Sequence, residues 1–324
     1  MLNNTVYYGN RGQRKFPRIL LFACLFTLLL IIVLGFGFFY YNASAPNEVF
    51  ILSPISRITN EVIYSRNLKK NNRNLKAIIE NILGEDMGQY GIVVENLKSG
   101  IRYYFNEDKS YNTASLYKLW VMADVYQQIE EGKLTKDLVL TKDVSYLNER
   151  FNLASESAEL NEGTISLSVH DALNKMITIS DNYASHLLVD AIGVSSLANF
   201  LDKYNFFESK AGTLEQNPIS SAKDIASFFK KLYRGELANE VDTIEMLDLL
   251  KGQQVNTKLS KDLPENVVIA HKTGELSGLS HDAGIVYSPK GDYIIVVMSK
   301  TENPPVANEN IAEISNEVYD YFAD

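Results

Sequence analysis

Between Ile19 and Tyr41 the chain runs through 23 consecutive residues with no charged side chain, most of them Leu, Ile, Phe and Val. At about 1.5 Å of rise per residue, a helix of that length crosses a bilayer core of about 30 Å. No other segment constrains the fold as strongly, because a spanning helix puts the residues before it and the residues after it in different compartments. The N-terminal side carries Arg11, Arg14, Lys15 and Arg18 and no acid, and such positive charge stays on the cytoplasmic side. Residues 1–18 are therefore expected in the cytoplasm, 19–41 in the cell membrane as a single-pass signal-anchor, and the remainder outside. A cleavable signal peptide is the rival reading, since Ala43-Ser44-Ala45 has the small-residue pattern of a cleavage site. Two features oppose it: the apolar stretch exceeds the usual length of about 7 to 15 residues, and Pro46 would become the first mature residue.

All 40 Asp and Glu residues lie beyond the span, with 27 of the 31 Lys and Arg, so the outer part carries a charge of -13 where the whole chain carries -9. An acidic balance without a basic stripe argues against nucleic acid as the partner, because neutralising phosphates needs clustered cations. Cys24, the one cysteine, sits inside the span, where a thiol facing lipid or another helix is preferred to a lipidation site. The outer part must then be stable without disulfides. His170, His186, His271 and His281 show no paired ligand spacing, so no metal is expected; no glycine-rich loop comes after a strand, so no nucleotide cofactor is expected either. Residues 42–72 contain Pro46, Pro54 and several Asn and Ser, and the basic cluster Arg66, Lys69, Lys70 and Arg73 closes the segment. This composition reads as a stalk. Residues 73–324 carry no repeat and should form one domain, long enough to bury a substantial core.

Within that domain, residues 91–97 and 101–105 are β-branched and aromatic runs joined by Lys98-Ser99-Gly100, the pattern of a hairpin. Residues 267–270, 282–287 and 293–299 read as three further strands near the other end. Between these groups the periodicity turns helical: Leu119, Met122, Val125, Tyr126 and Ile129 share a face, and Gly132 is placed as a stop. Further helices are expected at 168–179, 183–191, 195–203, 221–233 and 306–322. This order predicts an α+β fold, with a five-stranded antiparallel sheet built from both ends of the domain and an all-helical region inserted between them.

Three short motifs occur in chain order: Ser115-Leu116-Tyr117-Lys118, Ser180-Asp181-Asn182 and Lys272-Thr273-Gly274. Ser-x-x-Lys alone is weak, since Ser220 to Lys223 and Ser227 to Lys230 repeat it. Each motif also has a bland explanation as a helix cap, a turn or a strand end. The weight lies in their order and setting: before a strongly periodic helix, between two helices, and at the end of a strand. A serine at a helix start meets the partial positive charge of the helix N-terminus, which favours a developing oxyanion. Lys118 lies on the same face one turn on. To take the Ser115 proton its amine must be neutral, and burial, the helix dipole and a second cation at Lys272 would all lower its pKa.

With Ile179 to Leu188, Ile192-Gly193 and Gly284-Ile285-Val286 beside the motifs, residues from about 85 to 322 resemble the penicillin-recognising serine hydrolases, and specifically the class A β-lactamases. The resemblance implies a β-lactamase/transpeptidase-like fold and a β-lactam or a peptidoglycan stem peptide as substrate. It also implies Ser115 as nucleophile, Lys118 as base, and Ser180 relaying a proton between Lys118 and Lys272 toward the leaving nitrogen. Asn182 would bind the substrate's side-chain amide, and Lys272 and Thr273 its carboxylate. Gly274 would let the strand approach the ligand, and the backbone N–H groups of Ser115 and Glu275 would form the oxyanion hole.

The match is incomplete. Class A enzymes supply a glutamate that activates the deacylating water, with Leu-Asn close behind it. Here the stretch Phe206 to Ser221 is short and holds only Glu208 and Glu215. Glu215, with Asn217 nearby, stands at about the right distance from Asn182, although a surface carboxylate is its default reading. The family's carboxylate-binding arginine is missing near Ala283, and Glu275 is unusual beside an anionic ligand. The leading expectation is a membrane-anchored serine β-lactamase-type hydrolase, with turnover fast or slow. A D-alanyl-D-alanine carboxypeptidase and a non-catalytic peptidoglycan-binding module are the alternatives.

Overall fold

The computed structural model describes residues 69, 71 and 74–323, with the exception of 157, 214 and 215. The tail, the apolar segment 19–41 with Cys24, Ala43-Ser44-Ala45 and most of the stalk lie outside these residues, as does Glu215. Among the described residues no single helix is long and apolar enough to cross a membrane.

Strands β1 (Tyr90–Asn96) and β2 (Arg102–Phe105) come from the start of the domain, and β7 (Val268–Leu276), β8 (Leu279–Tyr287) and β9 (Tyr293–Lys300) from its end. They form a five-stranded sheet in the order β2-β1-β9-β8-β7, antiparallel throughout. Side chains alternate between its faces. Val93, Ile294, Val296 and Met298 enter the core shared with the helical region, while Ile92, Val94, Ile295 and Val297 enter a second core with Leu75 and Ile79 of the helix at 74–83 and Ile311, Ile314 and Val318 of the Pro304–Ala323 helix. Both faces are covered, which is why β1 and β9 read as unbroken apolar runs rather than as alternating ones.

The Lys118–Glu130 helix is buried along nearly its whole length, including Leu119, Trp120, Met122, Val125 and Tyr126. Around it pack the helices Val169–Thr178, Asn182–Ile192 and Val194–Lys203. Side-chain caps start several of the helices: Ser168 accepts from Asp171 N, Asp181 from Ala184 N, and Ser221 from Asp224 N. The inserted region is not all-helical, contrary to the sequence expectation. It contains the hairpin of β4 (Val139–Asp143) with β5 (Thr164–Ser168) and the short pair β3 (Tyr111–Asn112) with β6 (Ile219–Ser220). Side chains of β4 and β5 are exposed or half-buried, so they lack the apolar signal that marks the main sheet. Strand β7 also runs past Ala270, so Lys272-Thr273-Gly274 lies within a strand rather than at its end.

Two features aim the motifs at each other. The turn Ala114–Tyr117 packs on edge strand β7, where a Cβ on Gly274 would stand 2.9 Å from the Thr113 carbonyl oxygen. The segment Ser180-Asp181 joins two helices, with Ser180 held at a φ of 62°. A non-glycine residue in this left-handed region carries strain that the surroundings must hold.

Candidate active site

Ser115 lies half-buried in a 3-10 turn immediately ahead of the Lys118–Glu130 helix. Ala114 before it has a φ of 45°, a second strained position.

Lys118 and Lys272 are both completely buried and meet at Ser180. Lys118 Nζ donates to the Ser180 carbonyl at 2.5 Å, to its hydroxyl at 3.3 Å and to Asn182 Oδ1 at 2.8 Å. Lys272 Nζ donates to the same hydroxyl at 3.0 Å and to the Thr273 carbonyl at 3.0 Å. The Ser180 hydroxyl thus accepts from two ammonium groups. Burial pushes Lys118 down to about 8, against the opposing pull of Asp181 and Glu159. Burial, and then the charge of Lys118, push Lys272 down to about 7. A pair of lysines that gives up a proton near neutrality can exchange it through a shared hydroxyl.

The structure thus brings Lys118, Ser180, Asn182 and Lys272 into one hydrogen-bonded group, beside the turn that carries Ser115. Asp181, the middle residue of its motif, is the N-cap of the Asn182–Ile192 helix, its Oδ1 accepting from Ala184 N at 2.8 Å. Replacing Asp181 by alanine should remove about 1 kcal/mol of stability and lower the melting temperature by about 3 °C. Differential scanning calorimetry checks this.

His271 and His281 flank the third motif. His271 Nδ1 lies 3.0 and 3.1 Å from the two carboxylate oxygens of Asp282, which also accept from Leu259 N and Ala283 N. His281 Nε2 faces the Asn112 carbonyl, which can only accept, while its Nδ1 accepts from Ser299 N. That pairing holds a neutral ring, and burial pushes His281 down to about 4. Both histidines brace strands. Among the described residues no cluster of His, Cys, Asp and Glu could hold a metal ion.

Two residues near the cleft belong to no sequence motif. Glu159, exposed on the loop before β5, accepts from Asn182 Nδ2 at 2.6 Å. Lys258, completely buried, stands 3.0 Å from Glu275 Oε2. Neither carried a signal: Glu159 is one acid among several in a polar stretch, and Lys258 sits in a run that reads as solvated loop. Gln216 and Asn217, the next residues in the chain after Glu215, line a cavity of about 620 Å³ that also touches Tyr117 and His186. A larger cleft of about 820 Å³ involves Asp86, Tyr90, Lys300 and Asn303 and none of the motif residues.

Residues 74–322 match the model of the beta-lactamase enzyme family. The chain belongs to that family. Among characterised members it is 23% identical over 295 residues to beta-lactamase VEB-1 of Pseudomonas aeruginosa, spanning 81% of this chain and 93% of the relative. It is 21% identical over 252 residues to beta-lactamase SME-1 of Serratia marcescens, spanning 72% and 84%. The fold is that of beta-lactamases and penicillin-binding proteins. PBP-A superposes with a TM-score of 0.67 at 24% identity, covering 77% of this chain and 96% of that one. The TLA-3 extended-spectrum beta-lactamase superposes with a TM-score of 0.68 at 22% identity, covering 78% and 100%. A substituted PBP-A of the same similarity is an acyl-enzyme complex with penicillin G. This beta-lactamase-family protein is accordingly a serine hydrolase of the beta-lactamase or penicillin-binding type.

Proposed function

We propose that Ser115 is acylated by β-lactams and that the acyl-enzyme is then hydrolysed. The observation that carries this reading is the Lys118–Ser180–Lys272 group, with two buried cations sharing one hydroxyl. Neutral Lys118 takes the Ser115 proton as Oγ bonds to the lactam carbonyl carbon, and the backbone N–H groups of Ser115 and Glu275 hold the oxyanion. The C–N bond then breaks while Ser180 passes a proton to the leaving nitrogen. Asn182 holds the substrate amide, and Lys272, Thr273 and Gly274 its carboxylate end. Water completes the cycle by attacking the ester, with Glu215 as the base we assign to it.

A second reading, D-alanyl-D-alanine carboxypeptidase, is favoured by one further observation. Asp181 and Glu159 act on Lys118, and both are engaged, one as a helix cap and the other on Asn182. Turnover then rests on Glu215, the base we assign to the water, and without it the acyl-enzyme would persist. We further propose that the domain works outside the cell membrane, anchored by residues 19–41, on the support of their apolar length and the four bases before them.

The test uses the full chain in detergent micelles with a fluorescent penicillin and a chromogenic cephalosporin. The parent should turn the cephalosporin over repeatedly and hold no lasting label, while Glu215→Gln should keep one label per chain and lose turnover. A parent that labels without turnover supports the peptidase reading, to be pursued with a D-Ala-D-Ala peptide. A parent that neither takes a label nor turns the cephalosporin over sinks both. Protease added to intact cells should remove the domain; protection of the domain would overturn the topology.

A further inference from the structure

The loop between the Val144–Arg150 helix and β5 carries Glu156, Glu159 and Glu162 and no base. Arg150, the base that precedes it, is turned to Asp190, with Nε 3.6 Å from Oδ1. This acidic loop is pinned beside Glu159. The Leu160 carbonyl accepts from Asn148 Nδ2 at 2.8 Å, and the Leu160 N–H donates to the Tyr183 hydroxyl at 3.1 Å. Asn148 and Tyr183 are buried, and Tyr183 follows Asn182 at the start of the same helix. Among the described residues no salt bridge neutralises Glu159, and its side chain is exposed.

Asn182 ties this carboxylate to the cleft. Its Oδ1 accepts from Lys118 Nζ, and its Nδ2 gives one hydrogen to Glu159 Oε1 at 2.6 Å. The second Nδ2 hydrogen is then what Asn182 has left for a donor's side-chain amide. Two acceptors on one amide nitrogen stand about 5 Å apart when both bonds have ordinary length. A substituent on the carbon next to the donor's amide carbonyl thus comes within ion-pair reach of Glu159. The charge of Glu159 is felt in the site: burial lowers the Lys118 pKa, and Asp181 and Glu159 oppose it. Helix capping does not account for the contact, because Asp181 already caps this helix.

We infer that Glu159 is a specificity-determining residue that reads charge on the donor's acyl group. It favours donors with an ammonium group on the carbon next to the side-chain amide and rejects those with a carboxylate there. The inference rests on the reading of Asn182 as the residue that holds the donor's amide. The substrate class it names is an aminoacyl donor with its α-amine free. With no cation on the loop to answer a second carboxylate, an anionic acyl group meets only repulsion from Glu159.

The test uses three penicillins on one nucleus: ampicillin with an α-ammonium, benzylpenicillin with no α-charge and carbenicillin with an α-carboxylate. Each is titrated calorimetrically into the full-length Ser115→Ala protein, where acylation cannot intervene. A pH of about 6 keeps an α-amine of ordinary value, about 7.7, charged. Ampicillin should bind most tightly and carbenicillin least. Adding Glu159→Gln, which keeps an acceptor for Asn182, should lower the ampicillin-over-carbenicillin ratio about tenfold, the sum of an exposed attraction lost and an exposed repulsion removed. Benzylpenicillin should stay within about twofold, as expected for an exposed position, which separates loss of charge from damage to the fold. Adding Glu159→Lys should reverse the order. A parent that prefers carbenicillin or binds none of the three, or a ratio that Glu159→Gln leaves where it was, overturns the inference. If the ratio falls as expected but the wild type takes no covalent penicillin, the proposed chemistry fails and the charge selection stands.

Discussion

With Ser115 replaced by alanine the full-length protein should take up no fluorescent penicillin, and with Lys118 replaced by methionine the acylation rate should fall about 10³-fold, within the range for removing a positioned general base. The reason for so large an effect is that Lys118 lies one turn from Ser115 and the polar groups described around it are engaged. Ser180 accepts hydrogen bonds from both lysines, and Lys272 is committed to Ser180 and the Thr273 carbonyl. The pH profile gives the same chemistry a second readout. Burial lowers Lys118 to about 8, and burial with the Lys118 charge lowers Lys272 to about 7. The pair therefore titrates from about 7 to about 8, and the acylation rate should rise with pH through that interval as the Lys118 amine becomes neutral. These apparent values belong to the pair and not to either lysine. In Lys118→Met the amine that takes the Ser115 proton is gone, so the residual rate should lose the rise that its deprotonation gives. Stopped-flow acylation with benzylpenicillin from about pH 6 to 9 measures both; a Lys118→Met protein that keeps the parent's pH profile would show that another group is the base.

The main sheet and most helices were legible because their burial leaves a periodic trace. β1 and β9 are apolar on both faces, and the helices at 169–178 and 222–233 carry clear apolar stripes. The Glu240–Lys251 helix left no such trace: Met246, Leu249 and Leu250 are buried, but Val241 and Ile244 are exposed, so its apolar residues lie all round. Strand β7 beyond Ala270 failed for the opposite reason. Lys272 and Thr273 are buried though polar, and hydropathy ends the strand where burial does not. The motif residues could be chosen as candidates because each stands within three residues of another of its set. Glu159 and Lys258 could not, because nothing local marks them. Glu159 arrives from 23 residues before Asn182 on a polar loop, and Lys258 resembles any solvated lysine until the fold closes over it.

Replacing Lys272 by methionine should cost about 10² to 10³ in acylation, the loss expected when an electrostatic contact to developing charge is removed, and should raise the melting temperature at pH 7. The two outcomes come from one cause. In the unfolded chain Lys272 binds its proton up to 10.5, in the folded protein only up to about 7. Between these values the unfolded state holds more protons, so stability is lowest at and below pH 7 and rises as pH climbs toward 10.5. At about 1.4 kcal/mol for each pH unit between the two values, charging Lys272 in place costs on the order of 4 kcal/mol at pH 7, and Lys118 adds a smaller cost over the narrower window from about 8 to 10.5. Methionine fills the same space without the charge. It gives up the hydrogen bonds to Ser180 and Thr273, so part of the gain is lost, and a rise of about 5 °C is expected. The parent should melt higher at pH 9 than at pH 7, and Lys272→Met should shrink that difference. Calorimetry at the two pH values decides: a variant that melts lower than the parent at pH 7, with the parent's pH dependence intact, would mean that Lys272 stabilises the fold and that its charge is not held in the cleft against the folding free energy.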